Sequence, residues 1–118
     1  MDFIISFKGC GAELGNALQI MTPAKLGKNL TGMKRFILET AIKAGGKPCP
    51  PFGIGIGIGG QMDICSKLSR KAISTRRWDD VNQDPELAAL ERELKDAINS
   101  LGLGAAGTGG DTVCLAVK

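Results

Sequence analysis

The sequence predicts an α/β fold, a single compact domain with its elements in the order β-α-β-α-α-β. Three observations lead there. Residues Phe52 to Ile58 alternate isoleucine with glycine, a strand period, and run through Gly59-Gly60 into a helical stretch. Leu87, Leu90, Leu94, Ile98 and Leu101 recur at helical spacing. Apolar runs at both ends, Phe3-Ile4-Ile5 with Phe7 and Val113 to Val117, read as strands flanking the helical patterns.

Taken in order, Asp2 to Lys8 reads as a strand that ends at Gly9-Cys10-Gly11, where small residues suit a turn with close backbone approach. Residues 15 to 30 are irregular, with a turn or short helix at Met21-Thr22-Pro23. Thr31 or Gly32 can cap a helix running to Ala44; Met33, Phe36, Ile37, Ala41 and Ala44 form its apolar face, and Gly45-Gly46 stop it. The strand from Phe52 to Ile58 then places its isoleucines on one side and leaves bare backbone on the other, against which a helix or loop can pack. A helix from about Gln61 to Ser74 is expected to turn Ile64, Cys65, Leu68 and Ala72 inward. After a loop over Trp78 to Gln83, Asp84 is an N-cap and Pro85 the first helical residue of the next helix. Glu91 and Lys95 stand at i,i+4 on it, and Gly102 ends it. Thr112 to Val117 is the last strand, with Cys114 inside.

The 118 residues suit one domain, 1–118, that buries roughly 65% of its unfolded surface. With four phenylalanines, one tryptophan and 17 glycines, the core must be mainly aliphatic. A net charge of +3 is too small to argue for nucleic acid. Lys67, Arg70, Lys71, Arg76 and Arg77 make a local basic stretch, either a solvated helix face or guidance for an anionic substrate. No apolar run approaches the roughly 20 residues of a membrane span, and the start lacks the basic region of a signal peptide. The cysteines at 10, 49, 65 and 114 show no Cys-x-x-Cys or zinc spacing and read as reduced thiols of a cytoplasmic protein. Both ends are abrupt, as expected of a piece of a larger unit.

The chemistry concentrates at Lys47-Pro48-Cys49-Pro50-Pro51. Prolines fix the backbone on both sides of Cys49, so its thiol leaves a stiff segment, and Cys-Pro recurs in iron–sulfur ligand loops. A buried structural thiol in a proline-rich turn is the plainer reading. Gly55-x-Gly57-x-x-Gly60 also satisfies a dinucleotide-binding pattern. No strand ending in an acidic residue follows at the required distance, since Arg77-Trp78-Asp79-Asp80 stands there.

From Lys8 to Lys118 the chain resembles the alpha subunit, or alpha-like domain, of the iron–sulfur hydro-lyases, the class I fumarases and L-tartrate dehydratases. The resemblance runs through Lys8-Gly9-Cys10-Gly11, Met21-Thr22-Pro23-Ala24, Gly32-Met33-Lys34-Arg35-Phe36 and Ala44-Gly45-Gly46-Lys47-Pro48-Cys49-Pro50-Pro51. It continues through Gly55-Ile56-Gly57-Ile58-Gly59-Gly60, Asp84-Pro85-Glu86-Leu87, Leu101-Gly102-Leu103-Gly104 and Gly107-Thr108-Gly109-Gly110. It implies a [4Fe–4S] cluster held by three cysteines, its fourth iron open to a 2-hydroxy dicarboxylate. Cys49 would be one ligand and Gly11 a substrate contact. Cys10 departs from the glycine usual at its place, and a packing role is expected for it. The resemblance further implies a beta subunit or beta-like domain as partner. An upstream Cys-Gln-Asp-Thr-Gly motif and a downstream histidine segment are part of the family pattern; neither is in this chain, which has no histidine. The chain alone is therefore expected to be inactive and to lack the cluster. A non-catalytic interaction module on the same scaffold is the alternative.

Overall fold

A computed structural model describes residue 1 and residues 3–118. The α/β class is present, and from the second expected element onward the order is the expected α-β-α-α-β. Helices α1 (Pro23–Leu26), α2 (Thr31–Ala44), α3 (Met62–Thr75) and α4 (Pro85–Asn99) surround strands β1 (Phe52–Ile54) and β2 (Cys114–Val117), with 3-10 turns at Cys10–Glu13, Lys28–Leu30 and Ala105–Gly107. The strands pair in parallel, Phe52 opposite Cys114 and Ile54 opposite Val117. The ladder continues past β1, with Lys118 N–H donating to Ile54 and Ile56 N–H to Lys118. Beyond it Ile58 is exposed, so the strand is shorter than the isoleucine–glycine alternation predicts.

The two faces of this ribbon are used differently. On one, Met33, Ile37 and Ala41 of α2 and Leu94 and Ile98 of α4 close over Val113, Cys114 and Val117, with Phe52, Ile54 and Ile56 beside them. On the other lie Gly53, Gly55 and Gly57. A methyl group on Gly55 would overlap the Ser69 carbonyl oxygen, and one on Gly57 the Cys65 carbonyl oxygen, so α3 rests directly on strand backbone. This close approach keeps Cys65 and Ala72 on the inner side of α3 as expected but rotates Ile64 and Leu68 out of it. Cys65 and Ser69, both small, point at the strand and donate to the Gly57 and Gly55 carbonyls at 3.0 and 2.8 Å. Ile73 packs beside them against Gly55, while Ile64 and Leu68 remain exposed. Hydrophobic periodicity places Ile64 and Leu68 inward; the backbone contact is made instead by the small Cys65 and Ser69, with Ile73 beside them.

Other expectations shift for local reasons. Thr31 does not cap α2: it is the first helical residue, Leu30 precedes it in the left-handed region, and the Thr31 hydroxyl donates to Lys28 at 2.6 Å. Thr22 caps α1, and Asp84 caps α4 by accepting from Glu86 and Leu87 N–H. Of the first expected strand, Asp2 lies outside the described residues, and residues 3 to 8 form no strand. Phe3, Ile4, Ile5 and Phe7 are strongly exposed, since no ladder stands beside them to satisfy an extended backbone. Asn99 supplies a contact that no periodicity signals. Its side-chain oxygen accepts from Val113 and Cys114 N–H at 2.9 and 2.8 Å, and its amide donates to Cys114, clipping the end of α4 to the start of β2.

Glu91 pairs with Arg76 rather than Lys95. Arg76 also meets Asp80, whose carboxylate and carbonyl receive the buried Lys118 ammonium at 2.9 and 2.6 Å, and Asn82 donates to Glu91. The Arg76 hydrogen bond, then that of Lys118, holds the Asp80 carboxyl at about 2, below its ordinary 3.8. A carboxyl depressed on folding stabilises the fold above its unfolded pKa, and that stabilisation fades as pH falls through the folded value. The urea midpoint should therefore drop between pH 3.8 and about 2 more steeply than in Asp80→Asn. Identical acid limbs in the two proteins would remove Asp80 from the account.

Candidate functional site

Three chain segments meet at Cys49. After α2, Gly45 takes a positive φ of 52° and turns the chain; Lys47 N–H then donates to Ala44 and Cys49 N–H to Gly46. Cys49 itself has φ 55°, unusual for a residue with a side chain, at a cost of about 1–3 kcal/mol. The surroundings hold it there. Pro50 is buried and its carbonyl accepts from Ala106 N–H at 3.0 Å, while Phe52 N–H donates to Val113 at 2.9 Å and starts β1. The Cys49 loop is thus tied to the 105–107 turn and to the sheet.

The Gly9-Cys10-Gly11 turn is the other wall. A methyl group on Gly11 would stand 3.4 Å from the Cys49 sulfur and 3.6 Å from the Lys47 carbonyl oxygen. Residues far apart in sequence, a bare glycine and a thiol, therefore stand so close that one methyl group would fill the gap between them. The short 3-10 turn Cys10–Glu13 carries Gly11, closed by Ala12 N–H to Gly9 and Leu14 N–H to Gly11.

The four thiols divide cleanly. Cys114 is fully buried, donates to the Ala116 carbonyl at 3.3 Å, and burial pushes its pKa up to about 11. Cys65 is half-buried and spent on Gly57. Cys10 and Cys49 are exposed. For Cys10 this corrects the expected packing role: a tight turn at the surface leaves its side chain outside. The Cys49 thiol makes one long hydrogen bond among the described residues, donating to the Lys47 carbonyl oxygen at 4.0 Å.

Cys49 therefore suits a soft metal as a single ligand: a sulfur donor, exposed, on a tied loop. The rest of a cluster's ligand set does not stand beside it, because no group of three or more His, Cys, Asp or Glu residues able to hold a metal occurs among the described residues. The dinucleotide pattern does not serve phosphate here, since α3 fills the bare faces of Gly55 and Gly57. The basic stretch is largely paired, Arg70 with Glu13, Arg76 with Asp80 and Glu91, Arg77 with Asp79 and Lys67 with Asp63. No helix among the described residues is long and apolar enough to cross a membrane.

Comparison with known proteins places these features in a lineage. A family model described as fumarate hydratase (Fumerase) matches residues 1–118. A Methanocaldococcus jannaschii protein, "Putative L(+)-tartrate dehydratase subunit alpha", is 49% identical over 97% of this chain and 39% of its own length. A Geobacillus stearothermophilus protein, "Putative fumarate hydratase class I", is 36% identical over 100% of this chain and 24% of its own. The L(+)-tartrate dehydratase subunit alpha of Escherichia coli K12 is 29% identical over 92% of the chain and 35% of its own length. The chain thus spans about two-fifths or less of these relatives.

Proposed function

Since this chain belongs to the fumarate hydratase (Fumerase) family of hydro-lyases, we propose that it is the part of an iron–sulfur-dependent enzyme that supplies Cys49 as one ligand of an open-site [4Fe–4S] cluster. Its substrate is a 2-hydroxy dicarboxylate of the malate or tartrate type, which gains or loses water. The observation that carries this reading is the meeting of Gly11 with the exposed Cys49 sulfur. When bound, such a cluster supplies a Lewis acid to the departing hydroxide. The residues of this chain do simpler things. The Cys49 sulfur would hold iron from a loop whose anchors at Ala106 and Val113 fix its direction. Gly11, without a side chain, leaves space beside that sulfur for a carboxylate.

The remaining ligands and the acid–base groups come from segments outside these 118 residues, so 1–118 is one part of an alpha-type domain. Because the tartrate dehydratase relatives are named alpha subunits, a beta subunit is the proposed partner. The chain alone is inactive. Iron and acid-labile sulfide, assayed after anaerobic reconstitution, should be absent from the 118 residues alone. They should be present when the chain is joined to the segments that complete its relatives. No cluster in the joined protein under any reconstitution condition would favour the reading as a non-catalytic module.

A further inference from the structure

We propose that Glu13 and Arg70 form a clamp that holds the Gly11 turn against Cys49. The turn itself is weakly attached. Cys10, Ala12 and Glu13 are exposed, and nothing in Cys10–Glu13 is buried. Its backbone bonds, from Ala12 to Gly9 and from Leu14 to Gly11, stay within the turn and fix nothing about where it sits. Glu13 provides the link. Both of its carboxylate oxygens meet the two terminal guanidinium nitrogens of Arg70, a bidentate pair between the turn and the middle of α3. Asn16 donates from its side-chain amide to both the carbonyl and the carboxylate of Glu13, at 3.0 Å each, so the carboxylate is aimed as well as paired.

The other end of the clamp is rigid. The α3 backbone rests on Gly55 and Gly57, and these strand residues follow directly from the Cys49 loop through β1. Arg70 is next to Ser69, which donates to the Gly55 carbonyl. The route from turn to thiol is therefore Glu13, Arg70, α3, strand and Cys49 loop, and it closes where Gly11 meets the sulfur. The Arg70 hydrogen bond also holds the Glu13 carboxyl below the usual range, so the pair stays charged at neutral pH. An isolated exposed ion pair stabilises little, but bidentate Arg–carboxylate geometry is where such pairs do contribute. Here the effect is on the position of one turn rather than on global stability. Glu13 and Arg70 are positioning residues, and the proposal leans on the functional reading only in its choice of Cys49 as the thiol that matters.

The test reads the turn from Cys49 itself and needs no cluster, so it stands or falls apart from the iron–sulfur reading. The chain is treated with iodoacetamide, and alkylation at each cysteine is followed by mass spectrometry. Cys114, fully buried, reports global opening in the same sample. In Arg70→Gln and in Glu13→Gln, Cys49 alkylation should rise about threefold to fivefold with Cys114 unchanged, as expected when one exposed bidentate pair is lost from a local opening. The charge-swapped double variant Glu13→Arg with Arg70→Glu should return Cys49 toward the parent rate. Unchanged Cys49 rates in both single variants would overturn the clamp. So would a rise matched at Cys114, or a double variant no slower than the singles.

Discussion

Cys49→Ser in the completed hydro-lyase is expected to abolish turnover and the visible absorbance of the cluster together. A serine hydroxyl is a hard donor that stays protonated near neutrality, whereas the thiolate is the species that binds iron. The loop cannot substitute another donor, because Cys49 is held at φ 55° by the Pro50–Ala106 and Phe52–Val113 hydrogen bonds and the flanking prolines contribute none. The half-buried Cys65 and the buried Cys114 serve as controls. Cys65→Ser keeps a donor to the Gly57 carbonyl, and Cys114→Ser places a hydroxyl beside the Ala116 carbonyl oxygen in the core. Both should alter stability while cluster content and turnover persist. Iron, sulfide and the visible spectrum of anaerobically purified protein, with steady-state rates on malate and tartrate, check the expectation. Retention of cluster and turnover in Cys49→Ser would confine the likeness of this chain to its relatives to fold and ancestry.

Gly57→Ala should destabilise the chain by about 3 kcal/mol or more, at or beyond the upper end for overpacking. The added carbon would overlap the Cys65 carbonyl oxygen, which is helix backbone and cannot rotate aside. Relief requires α3 to lift from the strand, which stretches the Cys65 and Ser69 hydrogen bonds. Against a total stability of about 5–15 kcal/mol such a loss is large. Gly9→Ala is the matched control: its φ of −74° suits any residue and nothing lies within 4 Å of the added methyl. It should stay within about 0.5 kcal/mol of the parent. Urea denaturation of the variants decides; a Gly57→Ala midpoint equal to that of Gly9→Ala would mean α3 is not seated on the strand.

What the sequence made legible follows from how local each signal is. Pro85 after Asp84 starts α4, and the leucine period across it picks out Leu94 and Ile98, because caps and helical faces depend on neighbours a turn away. The glycine side of Phe52–Ile58 announced a close backbone contact, and α3 makes it. The same contact half defeats the α3 periodicity: Cys65 faces the strand as expected, but Ile64 and Leu68 stay exposed, while Ser69 and Ile73 take the places beside Cys65. Phe3 to Phe7 has strand composition, yet a strand exists only where another lends its ladder, and composition carries no information about that. At the site, Cys49 and Gly11 were singled out from sequence and stand together. The exposure of Cys10, the Asn99 clip and the Glu13–Arg70 pair depend on long-range placement and left no mark on local pattern.

The parallel pairing of β1 with β2 bears on when the thiol acquires its setting. Phe52 begins β1 just after the Cys49 loop, and its partner Cys114 lies near the far end of the chain. Closing so long a loop carries an entropic cost before any ladder bond forms, and contacts of such separation slow folding. While the chain emerges from the ribosome, α2 can form early, but Val113 and Lys118 must be made before the strand that follows Cys49 has anything to pair with. The setting of the Cys49 thiol is consequently completed only after the chain as far as Lys118 has been made. In the proposed enzyme, iron delivered before then would meet a cysteine whose loop is not yet anchored.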